Sequence, residues 1–220
     1  MARSAPQNPK QQTPTRNRRT PLLLATGNQG KIQELAHLLS PFHDNLLTLK
    51  DVGLTDDVVE SGATLEHNAA LKAKNYSRRS GLWAVADDSG LEVDALGGAP
   101  GPFSKRYAGS GASDDQLIRY LLKQMDLVSA SSRSARFRCV IALASPDGYL
   151  SLFQGSCTGT ITIEPRGAGG FGYDSIFLLP QLRLTMAELS LEEKNRVSHR
   201  SKAVLALTRG LMRTRGLVEG

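Results

Sequence analysis

The first half of the chain alternates short apolar runs with segments in which apolar residues recur every three or four positions. Continuous apolar runs bounded by glycine or proline are typical of buried strands, whereas the three-to-four spacing is typical of amphipathic helices. The pattern predicts strands at residues 22–26, 46–49, 82–86 and 91–95, and helices at residues 32–39 and 64–80. Thr64 is a suitable N-cap for the second helix, and Gly81 a suitable residue to end it.

The second half of the chain predicts a long hairpin between helices. Ser113 can cap a helix whose apolar residues continue to Met125. Residues 136–144 and 149–163 flank Pro146-Asp147-Gly148, a turn sequence, and so indicate two long strands. A further strand at 175–179 and helices at 186–189 and 192–214 complete the pattern. Strands and helices in this order predict an α/β protein with a long mixed sheet.

Composition adds a domain count and excludes some protein classes. The chain has 220 residues, of which 40% are hydrophobic, and this is typical of a soluble globular protein. Residues 21–220 contain no linker-like segment, so we expect a single domain there. No apolar run is long enough to predict a membrane span. The two cysteines, Cys139 and Cys157, form no CxxC pair, which excludes a zinc site made by cysteines alone. So few cysteines favour a location in the reducing cytoplasm.

The positive charge of the chain is concentrated at its N-terminus. The net charge is +6, and residues 1–20 supply five Lys or Arg residues with no acidic residue. This extension has few large apolar residues, so we expect it to be disordered. It is an electrostatic tether to RNA or an anionic surface, a targeting peptide, or a dispensable solvated segment. Because the remaining body is nearly neutral, no large nucleic-acid footprint is expected on it.

Residues 25–31, Ala-Thr-Gly-Asn-Gln-Gly-Lys, follow the first predicted strand. They lack the first glycine of a P-loop, and Ile32 replaces the hydroxyl residue that would hold magnesium, which excludes a Walker site. A glycine turn at a helix N-terminus nevertheless presents backbone N–H groups and a positive dipole end to an anion, and Lys31 adds a charge. The segment therefore indicates a phosphate site, with a plain turn and a solvated lysine as the alternative.

Two adjacent carboxylates, Asp87 and Asp88, precede Ser89-Gly90 at the predicted end of a strand. Neighbouring strand residues point to opposite faces, so one carboxylate can face a cleft while the other braces the turn. The cleft-facing carboxylate could bind Mg²⁺ and polarise a water molecule, and Glu60 could supply a second carboxylate. The alternative is an acidic turn without chemistry.

Two further segments carry candidate binding residues. Residues 167–172 satisfy GxGxxG, but they lead into a predicted strand rather than a helix, which excludes a dinucleotide fingerprint. Phe171 within them offers a flat face to a base, unless it is simply packed. Residues 192–202 are rich in cations and contain His199, and a solvated helix face is the alternative for them. Without GxSxG or HExxH elements, a serine hydrolase or zinc protease is not expected.

Taken in order, these segments resemble the inosine triphosphate pyrophosphatase family, also called dITP/XTP pyrophosphatases. Seven motifs carry the resemblance: Thr26–Lys31 with Glu34, the element from Glu60 to Ala73 that includes Asn68, residues 86–91 (ADDSGL), residues 96–101 (LGGAPG), residues 104–107, residues 169–174 (GGFGYD), and residues 192–200 with SHR. The resemblance covers residues 22 to about 210. Pro102-Phe103 stands where the family more often has an aliphatic residue and Tyr, and Ser175 replaces the proline that commonly follows GGFGYD. The basic extension lies outside the family pattern.

The resemblance implies a role for individual residues. Asp88 would be the general base and a metal ligand, Glu60 a second metal ligand, and Asp87 a neighbour of the metal. The residues implied to bind the phosphates are Thr26, Gly27, Asn28, Gln29, Gly30 and Lys31, and Ser89 would also contact the substrate. The wall that stacks on the base would consist of Phe171, Gly172, Tyr173 and Asp174. The residues implied to reach the purine edge are Lys194, His199 and Arg200.

The resemblance also implies the reaction and the assembly. Non-standard purine nucleoside triphosphates such as ITP, dITP and XTP would be hydrolysed to the monophosphate and pyrophosphate, with Mg²⁺ as cofactor. The fold would be a long curved mixed sheet whose flanking helices form two lobes around a central cleft, in a cytoplasmic homodimer. One alternative is a pyrophosphatase for modified pyrimidine or ordinary dNTPs. Another is a nucleic-acid-binding module that uses the extension and residues 196–202.

Overall fold

The computed structural model describes residues 20–56, 58 and 62–216. Two sequence-based expectations lie outside the described residues. One is the disorder of the basic extension, because residues 1–19 are not described, and the other is the metal-binding role of Glu60. Both stay predictions. Within the described part of the chain, no helix combines the length and hydrophobicity that a membrane crossing requires.

A single mixed sheet organises the described residues. Its seven strands are β1 (Leu22–Leu24), β2 (Leu46–Thr48), β3 (Trp83–Val93), β4 (Ser134–Ala144), β5 (Leu150–Ile161), β6 (Phe177–Leu179) and β7 (Leu184–Thr185). They lie in the order β2-β1-β3-β4-β5-β6-β7. Strand β1 pairs in parallel with β2 and β3, and every other pairing between these strands is antiparallel.

Helices cover both faces of this sheet. They are α1 (Gln29–Leu39), α2 (Leu65–Ser80), α3 (Asp114–Gln124), α4 (Leu191–Val197) and α5 (His199–Gly216). One apolar cluster joins α2 to alternate residues of β1, β3 and β4, and a second joins α1 and α5 to the intervening residues of the same strands. A third cluster surrounds α3 and the distal halves of β3 to β5. The predicted α/β class with a mixed sheet and flanking helices is confirmed.

Local sequence signals set several element boundaries. The Thr64 hydroxyl accepts a hydrogen bond from the His67 N–H at 3.1 Å and so caps α2, which ends at Gly81 with a φ of 70°. Ser113 and Gln116 form a capping box at the start of α3. The predicted hairpin is formed by β4 and β5. These boundaries are confirmed. The sequence could predict them because each depends on residues that are close together along the chain.

The predicted break between residues 86 and 91 is wrong. Asp87 and Asp88 lie in the middle of β3, where they pair with Ile141 and Val140 of β4. Strand β1 pairs only with the first three residues of β3, so β3 continues beyond the end of β1 with its other edge supported by β4. The two carboxylates therefore lie just beyond the end of β1 but in the middle of their own strand, β3.

The last predicted helix is divided in two. Ser198 has extended backbone angles (φ −68°, ψ 159°), and its hydroxyl accepts a hydrogen bond from the Ser201 N–H at 3.1 Å. The serine thus ends α4 and caps α5, because a side-chain acceptor competes with helix continuation. The segment predicted as a helix at 186–189 is a single 3₁₀ turn, Met186–Glu188. This division directs His199 and Arg200 towards the sheet.

The close contact between α5 and β5 gives a stability prediction. A Cβ atom on Gly155 would lie 2.2 Å from the His199 carbonyl oxygen and 2.4 Å from the Ala203 nitrogen. Because both neighbours are backbone atoms, Gly155→Ala should displace α5 and lower the free energy of unfolding by about 1–3 kcal/mol. Chemical denaturation measures this change. Thr158→Ala, at an exposed position of the same strand, is the control, and equal stabilities of the two variants would contradict the contact.

Candidate active site

Two adjacent carboxylates of β3 lie on opposite faces of the sheet. Asp87 is fully buried on the face that α1 and α5 cover, and Asp88 lies on the face that α2 covers. The strand pleat alone produces this separation, since successive side chains alternate. Each carboxylate consequently meets a different set of partners.

Asp87 is surrounded by cations. Its Oδ2 atom lies 3.2 Å from the Lys31 Nζ and accepts hydrogen bonds from the Arg200 Nη2 at 3.0 Å and Nε at 3.2 Å. Complete burial alone would raise the pKa of Asp87, but the charges of Lys31, Arg200 and Lys72 outweigh it and hold that pKa well below its usual value. Asp87 is therefore ionised at neutral pH.

The ionic network extends from Arg200 to the glycine-rich loop, residues 167–174. Glu34 of α1 pairs with the Arg200 guanidinium and lies 2.7 Å from the Lys194 Nζ. Lys194 in turn lies 2.5 Å from Asp174. Burial alone would raise the pKa of Glu34, but the charges of Arg200 and Lys194 outweigh it, and the pKa lies below its usual value. At Asp174 the effect of burial is larger than that of Lys194, so the pKa of Asp174 is raised. The network thus joins α1, β3, α4, α5 and the loop.

Phe171 connects this network to the turn at the start of α1. A Cβ atom on Gly30 would lie 2.5 Å from the Phe171 ring, so the ring packs directly against the glycine. The Lys194 ammonium lies 4.8 Å and the Arg200 guanidinium 5.7 Å from the ring centroid, within cation–π range. The Phe171 N–H donates to Asp174 at 2.9 Å, which fixes the loop. The segments predicted to bind phosphate and base are therefore in contact.

The turn at the start of α1 is ordered by its own side chains. Asn28 caps α1, since its Oδ1 accepts a hydrogen bond from the Lys31 N–H at 3.0 Å. The Thr26 hydroxyl accepts a hydrogen bond from the Asn28 backbone N–H at 3.3 Å. Gly27 and Gln29 are exposed, and Gly30 is half-buried under Phe171. The positive end of α1 and the Lys31 ammonium consequently face the same region.

Asp88 meets an amide and an ammonium from α2. Its Oδ2 accepts a hydrogen bond from the Asn68 Nδ2 at 3.1 Å, and its Oδ1 lies 3.5 Å from the Lys72 Nζ. Asn68 is fully buried, and its Oδ1 accepts from the Gly62 N–H at 2.9 Å. The carboxylate is nearly buried, at 5% exposure.

The remaining predicted site residues are placed as follows. The Ser89 hydroxyl accepts from the Arg200 Nη2 at 3.1 Å. Tyr173 is buried and donates its hydroxyl to the Ser104 carbonyl oxygen at 2.9 Å, while the Gly172 N–H donates to Asp114 at 2.6 Å. The His199 ring is buried and stacks on Phe137 with centroids 4.7 Å apart. Its Nδ1 has no hydrogen-bond partner among the described residues.

Sequence reasoning assigned no role to Glu34, Asn68 or Lys72. The structure brings Asn68 and Lys72 to Asp88, and Glu34 to Arg200 and Lys194. A signal was present in each case. Glu34 follows Lys31 by three positions, and Lys72 follows Asn68 by four, so each pair shares a helix face. A helix sequence does not show which element its side chains will face. Packing of α2 against β3 supplies the partner of Asn68 and Lys72, and packing of α1 near α4 and α5 supplies the partners of Glu34.

The cations of residues 196–202 do not form one basic surface. Arg196 is exposed and pairs with Glu192 at 2.5 Å. Arg200 is buried in the ionic network, and Lys202 donates to the Ser156 carbonyl oxygen at 2.8 Å. This separation removes the continuous cationic face that a nucleic-acid-binding module would use.

Oxygen ligands suited to a magnesium ion are present at β3. Mg²⁺ is usually held by one or two carboxylates together with substrate phosphates rather than by a complete protein cage. Asp88 provides such a carboxylate on the face that α2 covers. The Asp87 Oδ1, a buried acceptor without a hydrogen-bond partner among the described residues, lies on the opposite face. No group of three potential metal-ligating side chains occurs within that part of the chain. The donor set fits a metal that is bound together with a nucleotide.

Comparison with known proteins identifies the family. The Ham1 family model matches residues 22–209, most of the chain. The chain belongs to the Ham1 family. It is 45% identical over 187 residues to the dITP/XTP pyrophosphatase of Bacillus licheniformis, covering 85% of this chain and 95% of the relative. It is 50% identical over 186 residues to a dITP/XTP pyrophosphatase of Thermus thermophilus, covering 84% and 89% respectively. The resemblance drawn from the motifs is confirmed.

Solved Ham1 structures have the same architecture. The Staphylococcus aureus Ham1 protein superposes with a TM-score of 0.76 at 39% identity, over 87% of this chain and 98% of that chain. A Coxiella burnetii HAM1 protein gives a TM-score of 0.79 at 39% identity, over 88% and 99%. The family assignment therefore agrees with the fold as well as with the sequence.

The buried His199 predicts a specific pH dependence of stability. Burial, followed by the charges of Arg200 and Lys194, lowers the pKa of His199 well below its usual value of 6.5. The unfolded chain therefore binds more protons than the folded protein below about pH 6.5, and stability falls as the pH decreases. His199 should account for about 1 kcal/mol of the decrease in the free energy of unfolding between pH 6.5 and 5.5. In His199→Gln this decrease should be smaller by about that amount.

Urea denaturation at several pH values measures this dependence. His37→Gln is the matched control, because His37 is exposed on α1. The same pH slope in His199→Gln and in the unsubstituted protein would show that His199 is not the group responsible.

Proposed function

We propose that this Ham1 protein hydrolyses non-standard purine nucleoside triphosphates, such as ITP, dITP and XTP, to the monophosphate and pyrophosphate. The observation that carries the proposal is the convergence of the α1 N-terminus, Asp87 and Phe171, with Asp88 the next residue of β3 and held by α2. Relatives that are 45–50% identical are dITP/XTP pyrophosphatases. Such an enzyme removes these nucleotides from the pool before they enter DNA or RNA.

The reaction requires an activated water molecule next to the α phosphate. The water oxygen forms a bond to the α phosphorus, the bond from that phosphorus to the bridging oxygen breaks, and pyrophosphate leaves. We assign Asp88 as the general base that receives the water proton. Asn68 and Lys72 hold one carboxylate oxygen each, so the orientation of Asp88 is set before substrate binds.

The triphosphate develops negative charge on its oxygens, and the site supplies positive charge to it. Residues Thr26–Lys31 bring backbone N–H groups, a helix N-terminus and the Lys31 ammonium. Asp88 and Glu60, together with the phosphates, would hold Mg²⁺, which would neutralise part of the phosphate charge. Such electrostatic stabilisation is usually the largest contribution to phosphoryl transfer.

The base lies against Phe171, with Gly172, Tyr173 and Asp174 completing the wall. The Lys194 ammonium has three N–H donors, and Glu34 and Asp174 are two of its acceptors. A 6-keto oxygen is a suitable further acceptor for Lys194 or Arg200, whereas adenine presents an amino group to the same donors. One unmatched buried pair costs about 1–3 kcal/mol, roughly 5- to 150-fold, so strong rejection of ATP needs more than one contact.

The setting proposed for this enzyme follows the family expectation. We propose a homodimer in the cytoplasm that uses Mg²⁺ and whose partner is a nucleotide rather than a nucleic acid. The basic residues 1–20 lie outside the family match, which begins at residue 22.

Product analysis tests the proposed reaction and its substrate together. With Mg²⁺ present, the purified protein should convert ITP, XTP and dITP to monophosphate and pyrophosphate far faster than ATP, GTP or dTTP. Chromatography that resolves pyrophosphate from orthophosphate measures the products. A ranking led by pyrimidines or ordinary dNTPs would retain the reaction and overturn the substrate, and release of orthophosphate would overturn the reaction.

Substitution of the assigned base tests the mechanism. Asp88→Asn keeps the side-chain shape but removes the proton acceptor and a metal-site charge, so kcat should fall by about 10²–10⁴-fold while nucleotide binding persists. Steady-state kinetics and equilibrium binding of ITP measure the two effects. Asp115→Asn, in the exposed first turn of α3, is the control. Undiminished turnover of Asp88→Asn would exclude Asp88 as the base.

A further inference from the structure

The amide of Asn68 joins two parts of the site that are distant in sequence. Its Nδ2 donates to Asp88, twenty positions later, and its Oδ1 accepts from the Gly62 N–H, six positions earlier. The side chain is fully buried in the first turn of α2, so water does not replace either partner. One amide therefore ties a strand carboxylate to the chain that precedes α2.

The two partners permit only one orientation of this amide. If the oxygen and nitrogen were exchanged, an acceptor would face the Asp88 carboxylate and a donor would face the Gly62 N–H. Both contacts would then be repulsive, so the hydrogen-bond network decides the assignment. An aspartate at this position would keep the acceptor for Gly62 and lose the donor to Asp88.

Gly62 is fitted closely to Asn68. A Cβ atom at Gly62 would lie 2.5 Å from the Asn68 Oδ1 and 2.6 Å from the His67 ring. A larger residue would therefore displace the amide on which Asp88 depends. Gly62 follows Glu60 by two residues in sequence, so the bond restrains the chain just after a carboxylate to which we assign metal binding.

Helix α2 contacts both oxygens of Asp88. Asn68 and Lys72 are one turn apart on the same face, and they reach the Oδ2 and the Oδ1 respectively. The ammonium lies at 3.5 Å, longer than the 3.1 Å amide bond, and it supplies charge without the directionality of an amide. Asn68 is consequently the group that fixes the carboxylate's rotation.

We propose that Asn68 is a positioning residue for the hydrolytic reaction, which sets the orientation of Asp88 and anchors the chain at Gly62 at the same time. This inference rests on the proposed function. It predicts that losing the donor to Asp88 impairs the chemical step more than substrate binding, because Asn68 acts through Asp88 and does not itself need to contact the nucleotide.

Two substitutions separate the two bonds. Asn68→Asp retains an acceptor for Gly62 and removes the donor to Asp88, whereas Asn68→Ala removes both. Both variants should lower kcat for ITP by about 10–100-fold, as expected for groups that orient metal-site carboxylates, with KM changed by less than about threefold. Asn75→Asp, the same chemical change two turns further along α2, should leave both constants unchanged.

Hydrogen exchange of the Gly62 amide provides a readout independent of activity. The exchange should be slow in the unsubstituted protein and in Asn68→Asp, and fast in Asn68→Ala, because only alanine removes the acceptor. Full kcat in Asn68→Asp would overturn the role at Asp88, and equally slow exchange in Asn68→Ala would overturn the anchor at Gly62. An inactive unsubstituted protein would instead overturn the proposed function, and with it the catalytic role of Asn68.

Discussion

The ion pair between Asp87 and Arg200 is the interaction on which the rest of the site depends. Both groups are fully buried, and a buried charge is stable only when oppositely charged or hydrogen-bonding groups surround it. Several different elements supply those groups, because Lys31 and Glu34 come from α1, and Lys194 and Asp174 from α4 and the glycine-rich loop. Compensating these charges thus brings the turn at the start of α1 and the glycine-rich loop together.

The same constraint separates the roles of the two neighbouring aspartates. Asp87 is held as a carboxylate by cations that enclose it, so its charge organises Lys31 and Arg200. Asp88, on the opposite face, is also buried and meets an amide and an ammonium from α2. Strand alternation therefore gives adjacent identical residues different environments: cations enclose Asp87, and Asp88, to which we assign proton transfer, is held by α2.

Contact between Phe171 and Gly30 joins the glycine-rich loop to the turn at the start of α1. The ring packs on the glycine of the turn, and two cations of the ionic network lie within cation–π distance of its centroid. A change in the glycine-rich loop would therefore be transmitted to the start of α1 through packed atoms. Under the proposed function, the nucleobase and the triphosphate would bind at one site rather than two.

Local patterns were sufficient for the helices capped by Thr64 and Ser113, for the β4–β5 hairpin, and for the motifs that identify the family. Caps and turns depend on side chains a few residues away, which the sequence displays directly. The sequence alone also placed Asp87 and Asp88 on opposite faces. It misplaced them at a strand end, because pairing with β4 carries β3 past the short β1. The partners of Arg200, Glu34 and Asn68 were decided only by tertiary packing, since each lies on an element whose sequence does not specify what it will face.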